Sequence, residues 1–210
     1  VEEAWTAAYL FLAQVFIDRE AELYLQRKQA VGGWEAARAF VIADKIEESA
    51  LVTSFILQPK DGGDVLDYTP GQYIGIEVKP EGAQYSEIRQ YSLSDKPNGK
   101  QYRISVKREG QGQETQGVVS NHMHDTVAIG DEVSLYAPAG DFMYQERSKP
   151  VTLISAGVGV TPMQSMLEFL NNEQKNEPVL YLHACENVGP HSFTTRVKAI
   201  VADKGWAART

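Results

Sequence analysis

The hydrophobic period changes twice along this chain, which excludes any fold built from one kind of layer. From Val1 to about Lys28, Trp5, Tyr9, Leu12, Phe16 and Leu23 recur at steps of three, four or seven, the spacing of an amphipathic helix. Gly32-Gly33 ends it. After Trp34 the apolar residues alternate in twos, in the candidate strands 39–43, 51–57, 73–78, 90–94, 102–107 and 132–137. Asp61-Gly62-Gly63, Pro70-Gly71, Pro97-Asn98-Gly99 and Ile129-Gly130-Asp131 punctuate them, so this stretch predicts a small antiparallel barrel. From Pro150 the pattern becomes strand 151–156, a glycine loop, helix 162–171, strand 179–184 and helix 192–202, the start of a parallel sheet covered on its faces.

One helix of this kind cannot bury its own apolar face. The chain starts at Val1, without Met or a secretory pattern and already in helical periodicity, so residues preceding it are expected to cover that face. The two strands of the last segment are equally short of a stable core, and its C-terminal half is expected to lie outside the chain. Twenty Lys and Arg against 28 Asp and Glu give a net charge of −8, the wrong sign for nucleic acid or an anionic membrane. No run approaches the roughly 18 apolar residues of a membrane span. The single cysteine, Cys185, cannot form an internal disulfide, which points to a reducing, cytoplasmic compartment.

Several short strings carry candidate chemistry. Arg89-Gln90-Tyr91-Ser92 puts a planar cation, an aromatic ring and a hydroxyl on one strand, a strip suited to a flavin nucleotide and equally readable as a half-buried barrel strand. Pro70-Gly71-Gln72-Tyr73 reads as a type II turn opening a strand, with a tyrosine able to pack beside the same ligand. The run of Gly112, Gly117, Val118, Val119 and Ser120 offers backbone amides to phosphate if Ser120 opens the stretch carrying His122 and His124; a plain loop and cap explains it as well. Gly157-Val158-Gly159-Val160-Thr161-Pro162 lies between a buried strand and a helix, with Thr161 as expected cap. Pro162 stands where the dinucleotide fingerprint has a third small residue. Glu20, four after Phe16 and three before Leu23, lies on the apolar stripe, where it either reaches water or needs a partner. His122, His124, His183 and His191 form no convincing metal set, and no nucleophile elbow or cysteine–histidine–acid trio supports hydrolysis.

In their order along the chain, Arg-Gln-Tyr-Ser, Gly-Val-Val-Ser-Asn and Gly-Val-Gly-Val-Thr-Pro resemble the ferredoxin-reductase-like flavoproteins. With Gly33-Trp34, Pro70 to Tyr73 and Ala137-Pro138-Ala139-Gly140-Asp141-Phe142, the sequence is similar to the bacterial flavohaemoglobins over essentially its whole length. The resemblance implies a fold of three parts: residues 1–32 as the C-terminal helix of an all-α globin domain, 33–147 as a six-stranded antiparallel FAD-binding β-barrel, and 148–210 as the first part of an α/β NAD(P)-binding domain. It implies that Arg89, Gln90, Tyr91 and Ser92 bind FAD, with Ser92 facing flavin N5, Tyr73 beside the isoalloxazine, and Val119 and Ser120 contributing. Gly157, Val158, Gly159, Val160, Thr161 and Pro162 would receive the nicotinamide dinucleotide. Glu20 resembles the glutamate that hydrogen-bonds the haem's proximal histidine, and so counts as the catalytic candidate. The implied activity is nitric oxide dioxygenation, in which NAD(P)H reduces FAD, FAD reduces haem b, and O2 and nitric oxide give nitrate. The first histidine is His122, so no haem ligand precedes the barrel and this chain alone is not expected to bind haem or turn over. A stand-alone flavin, ferric or iron–sulfur reductase shares the barrel and loop strings, though not the leading helix, and a non-catalytic ligand-binding module is a further alternative. Glu186-Asn187 in place of an arginine cluster leans the coenzyme towards NADH.

Overall fold

The computed structural model describes residues 1–110, 116–146, 148–173, 177–185 and 192–209. Gly112, Arg147, the Glu186-Asn187 pair and His191 lie outside the described residues. Helix α1 spans Glu2–Gln29. Its acids Glu2 and Glu3 lie in the first turn and its bases Arg27 and Lys28 in the last, each complementing the helix dipole. No residue of α1 is buried against the described residues, and Trp5 is 74% exposed. The expected amphipathic stripe is joined by Leu10, Ile17 and Tyr24 on a second face, so the helix is apolar over more of its circumference than the spacing indicated.

Six strands form the barrel: β1 Ala37–Ser49, β2 Val52–Pro59, β3 Tyr73–Val78, β4 Glu87–Ser92, β5 Tyr102–Lys107 and β6 Glu132–Ala139. They pair antiparallel in the order β4-β3-β6-β1-β2-β5. A single bridge between Leu93 and Ile104 joins the two edge strands, so the barrel is barely closed at that seam. β1 is much longer than the expected 39–43, because register shifts at Ile42/Asp44 and Glu47/Ser49 break its alternation while the strand continues round the barrel. β4 begins and ends earlier than expected, at Glu87 and Ser92. Between Tyr73 and Gly75 the register against β6 also shifts, which accommodates Pro138, a residue with no N–H to give to a ladder. Inside, Phe40 stacks on Tyr102 at 5.8 Å and Trp34 closes the end at 5.7 Å from Phe40, its indole N–H donating to the Leu135 carbonyl.

Helix α2, Val118–Asp125, lies between β5 and β6 in sequence. Lys45 holds its C-terminal end, with Nζ donating to the carbonyls of His124 at 3.2 Å and Val127 at 2.6 Å. Arg108 grips Asp125 with two bonds of 2.7 and 2.6 Å. His124 gives Nε2–H to the Val106 carbonyl at 2.8 Å, and its Nδ1 lies 3.3 Å from the Thr53 hydroxyl. Burial, the main cause, holds its pKa below the ordinary 6.5. The unfolded chain therefore takes up this proton first: stability falls as pH drops through 6.5 and levels off once the folded ring also titrates. In thermal melts across that range, His124→Gln is expected to flatten this part of the slope.

The last segment contains β7 Val151–Ala156, α3 Val160–Asn172, β8 Val179–Ala184, α4 Thr194–Lys204 and β9 Ala207–Arg209. The sheet is parallel in the order β7-β8-β9, so there is a third strand where two were expected. Both helices pack over the face carrying Leu153, Val179 and Tyr181; the other face stays open, with Ile154 65% exposed. Coverage of both faces is therefore not what these residues provide. Glu168 of α3 accepts two bonds from Arg196 of α4, at 2.7 and 2.6 Å.

The barrel and this unit touch through directed contacts. Ser165 donates to the Asp95 carbonyl at 2.6 Å, the Ser49 and Ser192 hydroxyls lie 3.1 Å apart, and the Arg103 guanidinium sits 5.4 Å from the Phe193 ring centroid. Among the described residues no helix is long and apolar enough to cross a membrane.

Candidate functional site

The open seam of the barrel and the first loop of the parallel sheet enclose one cleft of about 470 Å³. Arg89, Gln90, Tyr91 and Ser92 of β4 form one wall, Ser105, Lys107 and Glu109 the next, and Gly117 to Ser120 at the start of α2 a third. Val158, Gly159, Thr161 and Pro162 close it from the other unit. Three strings far apart in sequence thus meet at one place, because β4 and β5 are edge strands that pair only through Leu93 and Ile104 and leave the seam beside them free.

Each wall carries a polar group suited to a nucleotide. Arg89 uses one guanidinium nitrogen on Glu87 at 3.0 Å and on the Ile88 carbonyl at 2.8 Å, and the rest of its fork is available. Tyr91 packs its ring on the barrel core, and burial pushes its hydroxyl up to about 12. Helix α2 starts at Val118 with Gly117 as its uncapped N-cap, so its first N–H groups have no side-chain partner. Ser120 does not open the helix as expected; it lies in the first turn and donates to the Gly117 carbonyl at 3.2 Å. Helix α3 is also uncapped, and its N-cap is Gly159. Thr161 is therefore not the cap: its hydroxyl donates to the Val158 carbonyl at 3.1 Å, closing the 3₁₀ turn Gly157–Gly159. No atom lies within 4 Å of where a Cβ would stand on Gly157 or Gly159.

Four expected site residues stand outside the cleft. Val160 is buried in the core of the parallel-sheet unit, and Gly157, at φ +53°, precedes the cleft wall rather than forming it. Tyr73 lies in an adjoining depression of about 510 Å³ with Tyr24, Trp34 and Tyr136, and Gln90 faces both spaces. The expected type II turn is present, with Gly71 at φ +106° and Gln72 N–H donating to the Thr69 carbonyl at 3.1 Å. Gly140, at φ +110°, must stay glycine, since a Cβ there would come within 2.8 Å of the Tyr73 ring. Glu20 is exposed on α1, one oxygen accepting from the Tyr24 hydroxyl at 3.0 Å, a bond that raises the Tyr24 pKa. Among the described residues no three of His, Cys, Asp and Glu gather to hold a metal ion.

The pattern of the oxidoreductase FAD-binding domain matches residues 39–144, just over half of the chain. The chain belongs to that family. A flavohemoprotein of Vibrio cholerae is 62% identical over 206 residues, 98% of this chain and 52% of that protein. The crystal structure of the flavohem-like FAD/NAD-binding domain of nitric oxide dioxygenase, also from Vibrio cholerae, superposes with a TM-score of 0.81 at 56% identity, covering 83% of this chain and 73% of that one. A flavohemoglobin from Malassezia yamatoensis with bound FAD and heme superposes with a TM-score of 0.80 over 99% of this chain and 52% of that one; its 22% identity speaks for the fold alone. The chain spans about half the length of the curated relatives it matches.

For an FAD-binding domain the donor set fits: two cations, hydroxyls, two helix N-termini without side-chain caps and one glycine, Gly159, with open space before it meet in a chain whose net charge is −8. Sequence reasoning missed Ser105 and Lys107 of the FAD-binding barrel. The available signal was the strand alternation of 102–107, which puts both residues on one face.

Proposed function

We propose that this chain is the reductase part of a flavohaemoglobin-type nitric oxide dioxygenase acting in the cytoplasm. The observation that carries the proposal is that Arg89 to Ser92, Val119-Ser120 and Val158 to Pro162 line one cleft in a chain 62% identical to a flavohemoprotein. In this reading 1–32 is the last helix of a globin domain, 33–147 the FAD barrel and 148–210 the start of the nicotinamide domain. Bound in the cleft, FAD supplies hydride acceptance from NAD(P)H and single-electron transfer to a haem b for O2-dependent conversion of nitric oxide to nitrate.

Arg89 and the α2 N-terminus hold the pyrophosphate, Ser92 gives a hydrogen bond at flavin N5, and Tyr73 supports the ring from the adjoining depression. The α3 N-terminus, from Val158 to Pro162, receives the phosphates of the nicotinamide coenzyme. Glu20 accepts from the imidazole N–H of the haem ligand with the oxygen that Tyr24 leaves free, which makes that imidazole a stronger donor to iron. A stand-alone reductase has no use for α1, whose exposed Trp5 and Phe16 suit a helix packed within a larger all-α domain.

The test is the visible spectrum of the natively purified protein carrying this chain, before and after NADH. Flavin bands with a haem Soret band that shifts on reduction are the expected result; flavin without haem would leave a simple reductase and discard the Glu20 role. Where haem is present, Glu20→Gln is expected to raise the haem midpoint potential and slow nitric oxide turnover, and an unchanged potential would remove Glu20 from the mechanism.

A further inference from the structure

We propose that Ser54 fixes the Ser105 hydroxyl as a hydrogen-bond acceptor in the cofactor cleft, so that Ser105 takes a hydroxyl donor of the bound ligand and Ser54 acts as a positioning residue. This rests on the reading of the cleft as the FAD site and goes beyond it, to a specificity-determining contact on β5.

Across the barrel seam runs an unbroken chain of side chains. Ser54 lies 2.7 Å from the Glu48 carboxylate, Ser105 2.7 Å from Ser54, and Ser94 2.7 Å from Ser105. Ser54, Ser105 and Ser94 are 0%, 3% and 0% exposed, so the two bonds between the serines are buried. At the far end Arg103 approaches, Nε donating to Ser94 Oγ at 3.3 Å.

Counting protons fixes the direction. Each hydroxyl has one, and a carboxylate has none. Ser54 therefore gives its proton to Glu48. The oxygen of Ser54 can then only accept from Ser105, so the Ser105 proton is committed to Ser54. Ser94 must in turn give its proton to Ser105. Turning that proton to the Arg103 carbonyl, 3.3 Å away, would set two bare oxygens against each other at 2.7 Å. A guanidinium at the donor end and a carboxylate at the acceptor end polarise every link the same way.

Ser105 is the one member of this chain that also lines the cleft. Its proton is committed to Ser54 and one lone pair to Ser94, leaving one lone pair for a ligand. A ligand atom facing it has to be a donor. A carbonyl or phosphate oxygen there would meet a bare oxygen, whereas the hydroxyls of a sugar or sugar-alcohol chain fit. Orientation depends on Ser54 and not on Ser94: without Ser54 the Ser105 proton loses its acceptor, and without Ser94 it stays where it is.

That asymmetry makes the test. FAD affinity of the whole chain is measured by quenching of flavin fluorescence for Ser54→Ala, Ser94→Ala and Arg89→Ala, with a thermal melt for each. Ser54→Ala is expected to weaken FAD binding about three- to tenfold, the range of one net hydrogen bond, while Ser94→Ala stays within about twofold at a similar loss of melting temperature. A merely structural role would make the two serine variants alike in affinity, since both remove one buried hydroxyl from the same seam, and that result overturns the proposal. If Arg89→Ala weakens FAD binding and Ser54→Ala does not, the proposal fails and the site reading stands. If Arg89→Ala leaves affinity unchanged, the site reading itself is wrong.

Discussion

Replacing Arg89 by alanine is expected to weaken FAD binding by about 10- to 100-fold with little change in stability. The size follows from what the guanidinium can offer. A hydrogen bond to a charged partner contributes about 1.5–3 kcal/mol net, and a pyrophosphate can engage two donors of one planar fork. The change in stability is small because Arg89 is exposed, and its ion pair with Glu87 at 3.0 Å joins side chains that are 51% and 43% exposed. Such a pair contributes about 0–1 kcal/mol, so a phosphate displaces Glu87 at little cost. Two measurements check this: FAD affinity by flavin fluorescence, and the melting temperature without FAD. A large fall in melting temperature with unchanged affinity would make Arg89 a strand-pairing residue, and the cleft would lose its main anion contact. Glu87→Gln is the counterpart, since it releases Arg89 from competition and should leave FAD affinity equal or slightly tighter.

What could be read from the sequence follows from how far each signal is local. Strands 73–78, 102–107, 151–156 and 179–184 appear residue for residue, because each is an alternating or continuous apolar run. β1 was legible only in its first half: the bulges after Ile42 and Glu47 shift the alternation that identifies a strand. β9 was missed because Ala207-Ala208-Arg209 has neither β-branched nor aromatic residues, and it becomes a strand only by pairing with β8. At the site, Arg89 to Ser92 stood out since a cation and hydroxyls are odd on a barrel strand. Ser105 and Lys107 did not, because their meaning comes from Ser54, Ser94 and the open seam, which are distant in sequence. The cap of α3 was misassigned for a similar reason. Thr161 is a good capping residue by type, but the 3₁₀ turn starts the helical path earlier and gives the position to Gly159.

Gly159 at the start of α3 carries the largest expected effect. Gly159 is the N-cap of α3 at φ −59°, an ordinary backbone conformation, and a side chain there would meet no atom within 4 Å. Gly159→Asp should therefore be harmless or slightly favourable to the fold: nothing blocks the side chain, and a negative charge at a helix N-terminus adds about 0.3–1 kcal/mol. The same side chain would put a carboxylate where the coenzyme phosphates are proposed to lie. The expected outcome is an unchanged or higher melting temperature together with at least about a 100-fold loss in the rate at which NADH bleaches the flavin of the natively purified protein carrying this chain, from lost charged hydrogen bonds and like-charge repulsion. FAD affinity should hold, since its contacts are assigned to Arg89, Ser92 and the α2 N-terminus on the opposite walls. Loss of FAD affinity in the same variant would mean that both dinucleotides share the α3 terminus. An unimpaired rate would mean that the open space before Gly159 is not where the coenzyme binds. Opposite signs for stability and activity at one residue are what a helix end left uncapped for a ligand should give, and a purely architectural glycine would give neither.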